Sequence, residues 1–95
     1  MAKKLNEIIL EVETRLKSLF SDYTFDAKNR FFVFNNNVVI RITGFTISNE
    51  DVIVAEYGDS LEEAKKNMME DGDLWYISEM TPEEIAEAIF AEASE

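Results

Sequence analysis

Residues 23–57, YTFDAKNRFFVFNNNVVIRITGFTISNEDVIVAEY, hold most of the β-branched and aromatic residues of a 95-residue chain, in four consecutive runs. Runs of this kind, separated by Asn-, Asp- and Ser-containing breaks, read as the strands of an antiparallel meander. A two-residue loop at Lys28-Asn29 and a three-residue loop at Asn35-Asn36-Asn37 place Tyr23, Phe25, Phe32, Phe34, Val38, Ile40 and Ile42 on one face. In that register Phe25 lies opposite Phe32 and Tyr23 opposite Phe34, so cross-strand aromatic contacts add to ordinary burial. The Asn triplet suits its turn because asparagine tolerates the left-handed backbone that a three-residue hairpin loop needs. A third strand, Val38 to Ile47, leads through a turn at Ser48-Asn49-Glu50-Asp51 into a fourth, Val52 to Tyr57. Pairing Ile47 with Val52 puts Ile53, Ala55 and Tyr57 on the core face beside Ile42 and Gly44.

In this register the other face of the sheet would be apolar as well, carrying Phe31, Val33, Val39, Phe45, Ile47, Val52 and Val54, with Arg41 beside Phe31. A solvated face alternates to polar residues, so this one calls for cover. Three arrangements supply it. A helix of the same chain can lie across it, a second chain can, or a bulge at Gly44 can return Phe45 and Ile47 to the core side. In a homo-oligomer, the seam would be Phe31, Val33, Val39, Arg41, Phe45 and Val54.

Outside the meander the pattern turns helical. Leu5, Ile8, Ile9, Val12, Leu16, Leu19 and Phe20 recur at spacings of three and four, which predicts an amphipathic helix from about Lys3 to Phe20. Glu11 with Arg15 and Glu13 with Lys17 would brace its polar side, each pair contributing about 0.3 to 0.5 kcal/mol. Ser60-Leu61-Glu62-Glu63 has the form of a capping box and opens a second helix, with Leu61, Ala64, Met68 and Met69 as its apolar stripe and Asp71-Gly72 as its end. Leu74 to Ile77 reads as a short edge strand carrying Trp75 and Tyr76, which are expected in the core. Thr81-Pro82-Glu83-Glu84 is a second capping box with proline at the first helical position. The helix it starts should bury Ile85, Ala86, Ile89, Phe90 and Ala93. The fold expected is α+β in a single domain spanning 1–95: N-terminal helix, four-stranded meander, helix, short strand, C-terminal helix.

The segment Glu56-Tyr57-Gly58-Asp59-Ser60-Leu61-Glu62-Glu63-Ala64 resembles the strand-to-helix junction of the small antitoxins related to HicB. The resemblance implies a strand passing directly into a capped helix. The Pro-Gly-Cys turn and the DNA-binding tail of those proteins have no counterpart in this sequence, so only the junction carries over.

Composition bounds the function. Cysteine and histidine are both absent, which removes thiolate chemistry, the usual zinc ligands and the commonest acid/base at neutral pH. No cofactor or metal is expected, and Glu70-Asp71-Gly72-Asp73 lacks the ligand spacing of a calcium loop. Paired carboxylates for hydrolysis need a cleft with separated pKa values, whereas these residues read as helix surface. The chain is therefore expected to be non-enzymatic, soluble and cytoplasmic. Its net charge is -11, unevenly spread. Residues 1–47 carry seven basic and five acidic groups, a balance of +2, and residues 48–95 carry two basic against fifteen acidic, a balance of -13. Such a field opposes free nucleic acid and anionic membranes and favours a basic protein surface. The last helix carries Glu83, Glu84, Glu87, Glu92 and Glu95 without one lysine or arginine. Like charges at Glu83 and Glu87, and acids at the negative end of the macrodipole, work against its stability. Either the basic side of the first helix docks alongside, or the acidity serves a partner. The expected partner-binding face is Glu62, Glu63, Glu70, Asp71, Asp73, Glu83, Glu84, Glu87 and Glu92. In that reading the protein is an inhibitor or immunity-type module whose carboxylates occupy a basic cleft as phosphates would. The alternative is a homodimer or assembly subunit closed over the second sheet face.

Overall fold

The computed structural model describes residues 4–66 and 68–93. The fold is α+β, in the order α1 (Leu5–Leu19), β1 (Tyr23–Asp26), β2 (Phe31–Phe34), β3 (Val39–Ile47), β4 (Glu50–Gly58), α2 (Leu61–Lys65), β5 (Glu70–Tyr76) and α3 (Pro82–Ala93). Lys3, Asn67 and Glu95, assigned above to helices, lie outside the described residues. All five strands form one antiparallel sheet in the order β1-β2-β3-β4-β5.

The first two hairpins have the expected register, with Tyr23 opposite Phe34, Phe25 opposite Phe32, and Phe32 opposite Ile40. Each turn is fixed by its own side chains. The Asp26 carboxylate accepts from the Lys28 and Asn29 amides and from Asn29 Nδ2, at 3.0 to 3.3 Å. Its pKa falls below the ordinary carboxylate value, chiefly through the Asn29 side-chain bond. In the second turn Asn37 takes φ 72°, and Asn36 Oδ1 accepts from the Val38 amide. The third turn differs from expectation. Ser48 and Asn49, at φ 51° and 68°, form a two-residue turn, so Ile47 pairs with Glu50 and not with Val52. Two consecutive left-handed residues match the twist of a tight hairpin, and β4 starts two residues earlier, at Glu50. A shift of two leaves every side chain on its predicted face.

Helices α1 and α3 lie together on one face. Ile8, Ile9, Val12 and Leu16 of α1 and Ile85, Ala86 and Ile89 of α3 form one core with Phe32, Ile40, Ile42, Ile53 and Ala55. Gly44 permits the close approach of α1, because a Cβ there would sit 2.9 Å from Leu5 Cδ1 and 3.0 Å from the Val52 carbonyl. β3 and β4 stay in register past Gly44, so Phe45 and Ile47 remain on the second face. Phe20 caps α1 in an extended conformation and turns into the core. Its ring meets those of Phe32, Phe34 and Phe90 at centroid distances of 5.5, 4.9 and 5.7 Å.

The polar face of α1 departs from expectation at Glu13. This residue is buried, and it accepts from Arg30 Nε at 3.0 Å and Arg30 Nη2 at 2.6 Å instead of bracing Lys17. The guanidinium fork matches both carboxylate oxygens, which a lysine cannot do. Arg30 reaches it from the β1–β2 turn at φ 60°. Lys17 instead lies 4.0 Å over the Phe25 ring.

Two further corrections concern the second half. α2 ends at Lys65, and Asp71-Gly72 belongs to β5 instead of closing a helix; no described glycine has positive φ. The outer side of β4 needs main-chain partners along its length, and residues 70–76 provide them in extended form. In α3, Ala93 is exposed and Phe90 only half-buried.

Truncating Phe32, which is fully buried, to Ala should cost about 3 to 5 kcal/mol, read from a urea titration. Arg30→Ala should cost about 1 to 3 kcal/mol, less than for a fully buried pair because water reaches the arginine, with a lowered urea midpoint as the readout.

Candidate interaction surface

The expected acidic residues do not share a single face. Glu62 and Glu63 stand on the first turn of α2, whose Ser60 Oγ accepts from the Glu63 amide at 3.2 Å. Glu70, Asp71 and Asp73 belong to the edge strand β5, and Glu83, Glu84, Glu87 and Glu92 to α3. Since α2 packs on the second face of the sheet over Phe31 and Val39, and α3 on the first face, the acidic groups fall in three separate places, on α2, β5 and α3. Glu84 is occupied in its capping box, where its carboxylate accepts from the Thr81 amide and its own amide donates to Thr81 Oγ1. Glu87 lies 3.5 Å from Arg15 of α1, so one carboxylate of α3 does meet a basic neighbour; both side chains are exposed and the pair contributes little.

The fold brings carboxylates together around Tyr57. Gly72 lies at the register shift of β5, where a Cβ would collide with the Tyr57 ring, so glycine is what lets that ring lie across the strand. The Tyr57 hydroxyl donates to Glu92 Oε2 at 3.3 Å. Burial pushes the Tyr57 pKa up to about 12, and the charge and hydrogen bond of Glu92 and the charge of Asp73 act in the same direction. Thus β5 and the last turn of α3 place negative charge on one tyrosine from two elements distant in sequence. At the other end of β5, Asp51, Glu79 and Glu84 line a depression of about 490 Å³ beside Ile77.

On the second face, α2 covers only one end. Ala64 packs with Phe31 and Val39, and half-buried Val33, Leu61 and Met69 close around them. Arg41 lies against the Phe31 ring, with its guanidinium carbon 5.7 Å from the centroid, and its Nε donates to Glu56 at 2.8 Å. Of the residues of the expected oligomer seam, Phe31, Val39 and Val54 are therefore buried within the monomer and Arg41 is paired. What stays open is the far end, where Phe45 is 43% and Leu74 38% exposed. The register sets Phe45 across from Val52 and Tyr76 beyond it, and Thr43, Val54 and Leu74 form the adjoining row. Trp75, on the opposite side of β5, packs on the main core. Met68, expected in a helical stripe, is exposed.

Among the described residues no group of three or more His, Cys, Asp or Glu could hold a metal ion, and no helix is long and apolar enough to cross a membrane.

The Tyr57 environment has a pH signature. Its folded-state pKa lies above the ordinary 10.0, so its contribution to stability is intact below pH 10 and is lost as pH rises through about 12. Absorbance titration should show a tyrosinate step near pH 12 that is absent from Tyr57→Phe and moves to lower pH in Glu92→Gln. No family model, curated protein or solved structure matches the chain.

Proposed function

We propose that the protein is a non-enzymatic, acidic interaction module that engages a basic protein surface, its carboxylates taking the place that phosphates hold in that surface's nucleic-acid complex. The observation that carries this reading is the arrangement around Tyr57, where Asp73 of β5 and Glu92 of α3 act on one phenol. The phenol donates to the Glu92 carboxylate, so the fold itself holds this acidic group of α3 in place against β4. Carboxylates held on a strand and a helix lose little freedom on meeting lysine or arginine, and a net charge of -11 steers the approach. An inhibitor or immunity-type protein working in the cytoplasm fits this chemistry. A homo-oligomer closed over the second sheet face is the less favoured reading, because most of the seam it would use is taken up inside the monomer.

Affinity capture from a lysate of the source organism, at about 50 and about 300 mM salt, tests the reading, since the Debye length shortens between the two. Basic proteins should be retained at low salt and released at high salt. For such a partner, Glu70→Gln/Asp71→Asn/Asp73→Asn should lower affinity about tenfold, mainly through slower association, with an unchanged melting temperature. A partner whose binding ignores both salt and these three changes would show that the acidic margin is only solvated surface.

A further inference from the structure

The free edge of β5 has its main-chain groups, its apolar side and its charged side arranged for one kind of occupant. The Ile77 amide donates to the Asp51 carbonyl at 3.1 Å, so Asp51 turns its main-chain groups toward β5. Alternation along β4 turns those of Ile53 the same way, and the register sets Trp75 opposite Ile53. Trp75 therefore directs its N–H and C=O inward. Leu74 and Tyr76 direct theirs outward, where no strand of the sheet receives them. Residues 70–74 are all exposed.

The two sides of β5 differ in chemistry. Leu74 and Tyr76 lie on the second face in rows with Val54 and Val52, and Phe45 is on that face too. Asp73 acts on Tyr57 from the other side, with Glu92 beside it and Asp51 and Glu79 near the end of the strand. A strand added here would continue the apolar rows with one set of its side chains, while the alternate set would run past Trp75 with Asp73 and Glu92 at one end and Asp51 and Glu79 at the other.

We infer that the β5 edge takes up an extended segment of a partner protein in which apolar residues alternate with lysine or arginine, bonded through the main chain of Leu74 and Tyr76. This rests on the basic-partner reading and specifies how the partner is held. A second copy of the chain is disfavoured as occupant, because each copy carries a net charge of -11 and brings Glu70, Asp71 and Asp73 to the same edge.

The probe is a fluorescein-labelled octapeptide of alternating lysine and valine, followed by anisotropy at about 150 mM salt. In the inferred geometry the valines lie beside Leu74 and Tyr76, so their amides are the ones that bond to β5. The same peptide with N-methylated valines keeps every charge and should bind at least about tenfold more weakly, as loss of several main-chain bonds implies. Leu74→Pro should weaken the unmethylated peptide similarly while keeping its melting temperature, because the amide it removes points to solvent. The methylation comparison uses the unaltered protein and decides the question even if that variant fails to fold. Equal binding of the two peptides overturns the inference and leaves charge attraction alone. Failure of both peptides, with salt-sensitive capture of basic proteins intact, overturns the edge site without touching the acidic reading. A parent that sediments as a dimer and becomes monomeric in Leu74→Pro gives the edge to a second copy and also overturns the inference.

Discussion

Everything in this structure answers to β4. Val52, Ile53, Val54 and Ala55 are each no more than 2% exposed, so four successive side chains, pointing alternately to opposite faces, all need cover. The chain meets this demand unequally. Two helices and a cluster of rings lie over Ile53 and Ala55, while the opposite side receives a five-residue helix at one end and only flanking strands at the other. The strand also needs main-chain partners on both edges. That is why the strand expected from Leu74 extends back to Glu70, drawing in Asp71-Gly72, which reads in sequence as the end of a helix.

The unequal cover has consequences for what the surface presents. Because α2 is short, Phe31 and Val39 are sealed but Phe45 and Leu74 are left partly in water, at an edge strand that also carries Glu70, Asp71 and Asp73. Charged residues on an edge guard against indiscriminate pairing with other strands. The same charges make the edge selective, since a strand that brings cations meets attraction where an uncharged or acidic one does not. Exposed apolar area and acidic character thus coincide at β5.

Charge within the molecule follows a consistent rule. Where a carboxylate is buried it is matched, as Glu13 is by the fork of Arg30, and Glu56, half-buried, is matched by Arg41. Pairing of buried charge is expected, since an unmatched one carries a large desolvation cost. Of the basic residues in the first half of the chain, Arg30 and Arg41 are taken up by these internal pairs and Lys17 by a ring contact with Phe25. The acid-rich second half is left with its excess directed outward around Tyr57 and β5.

The faces of the meander were legible in the sequence because they depend on local facts: a side-chain period of two, the turn preferences of asparagine, and capping boxes at Ser60 and Thr81 that bond within three residues of themselves. Even the misjudged third turn kept Ile53, Ala55 and Tyr57 on the correct side, because an error of two residues preserves parity. The candidate surface was legible only as a list of acids. Its partition between α2, β5 and α3, the convergence on Tyr57, and the use of Gly72 as a seat for an aromatic ring depend on residues brought together from 15 to 35 positions apart. The Glu13–Arg30 pair spans 17 positions. Sequence determined which side chains point together, since that is a property of neighbours along the chain. Tertiary structure alone decided what lies across from them, since that depends on which free main-chain edge and which unmatched charge remain once the core has closed.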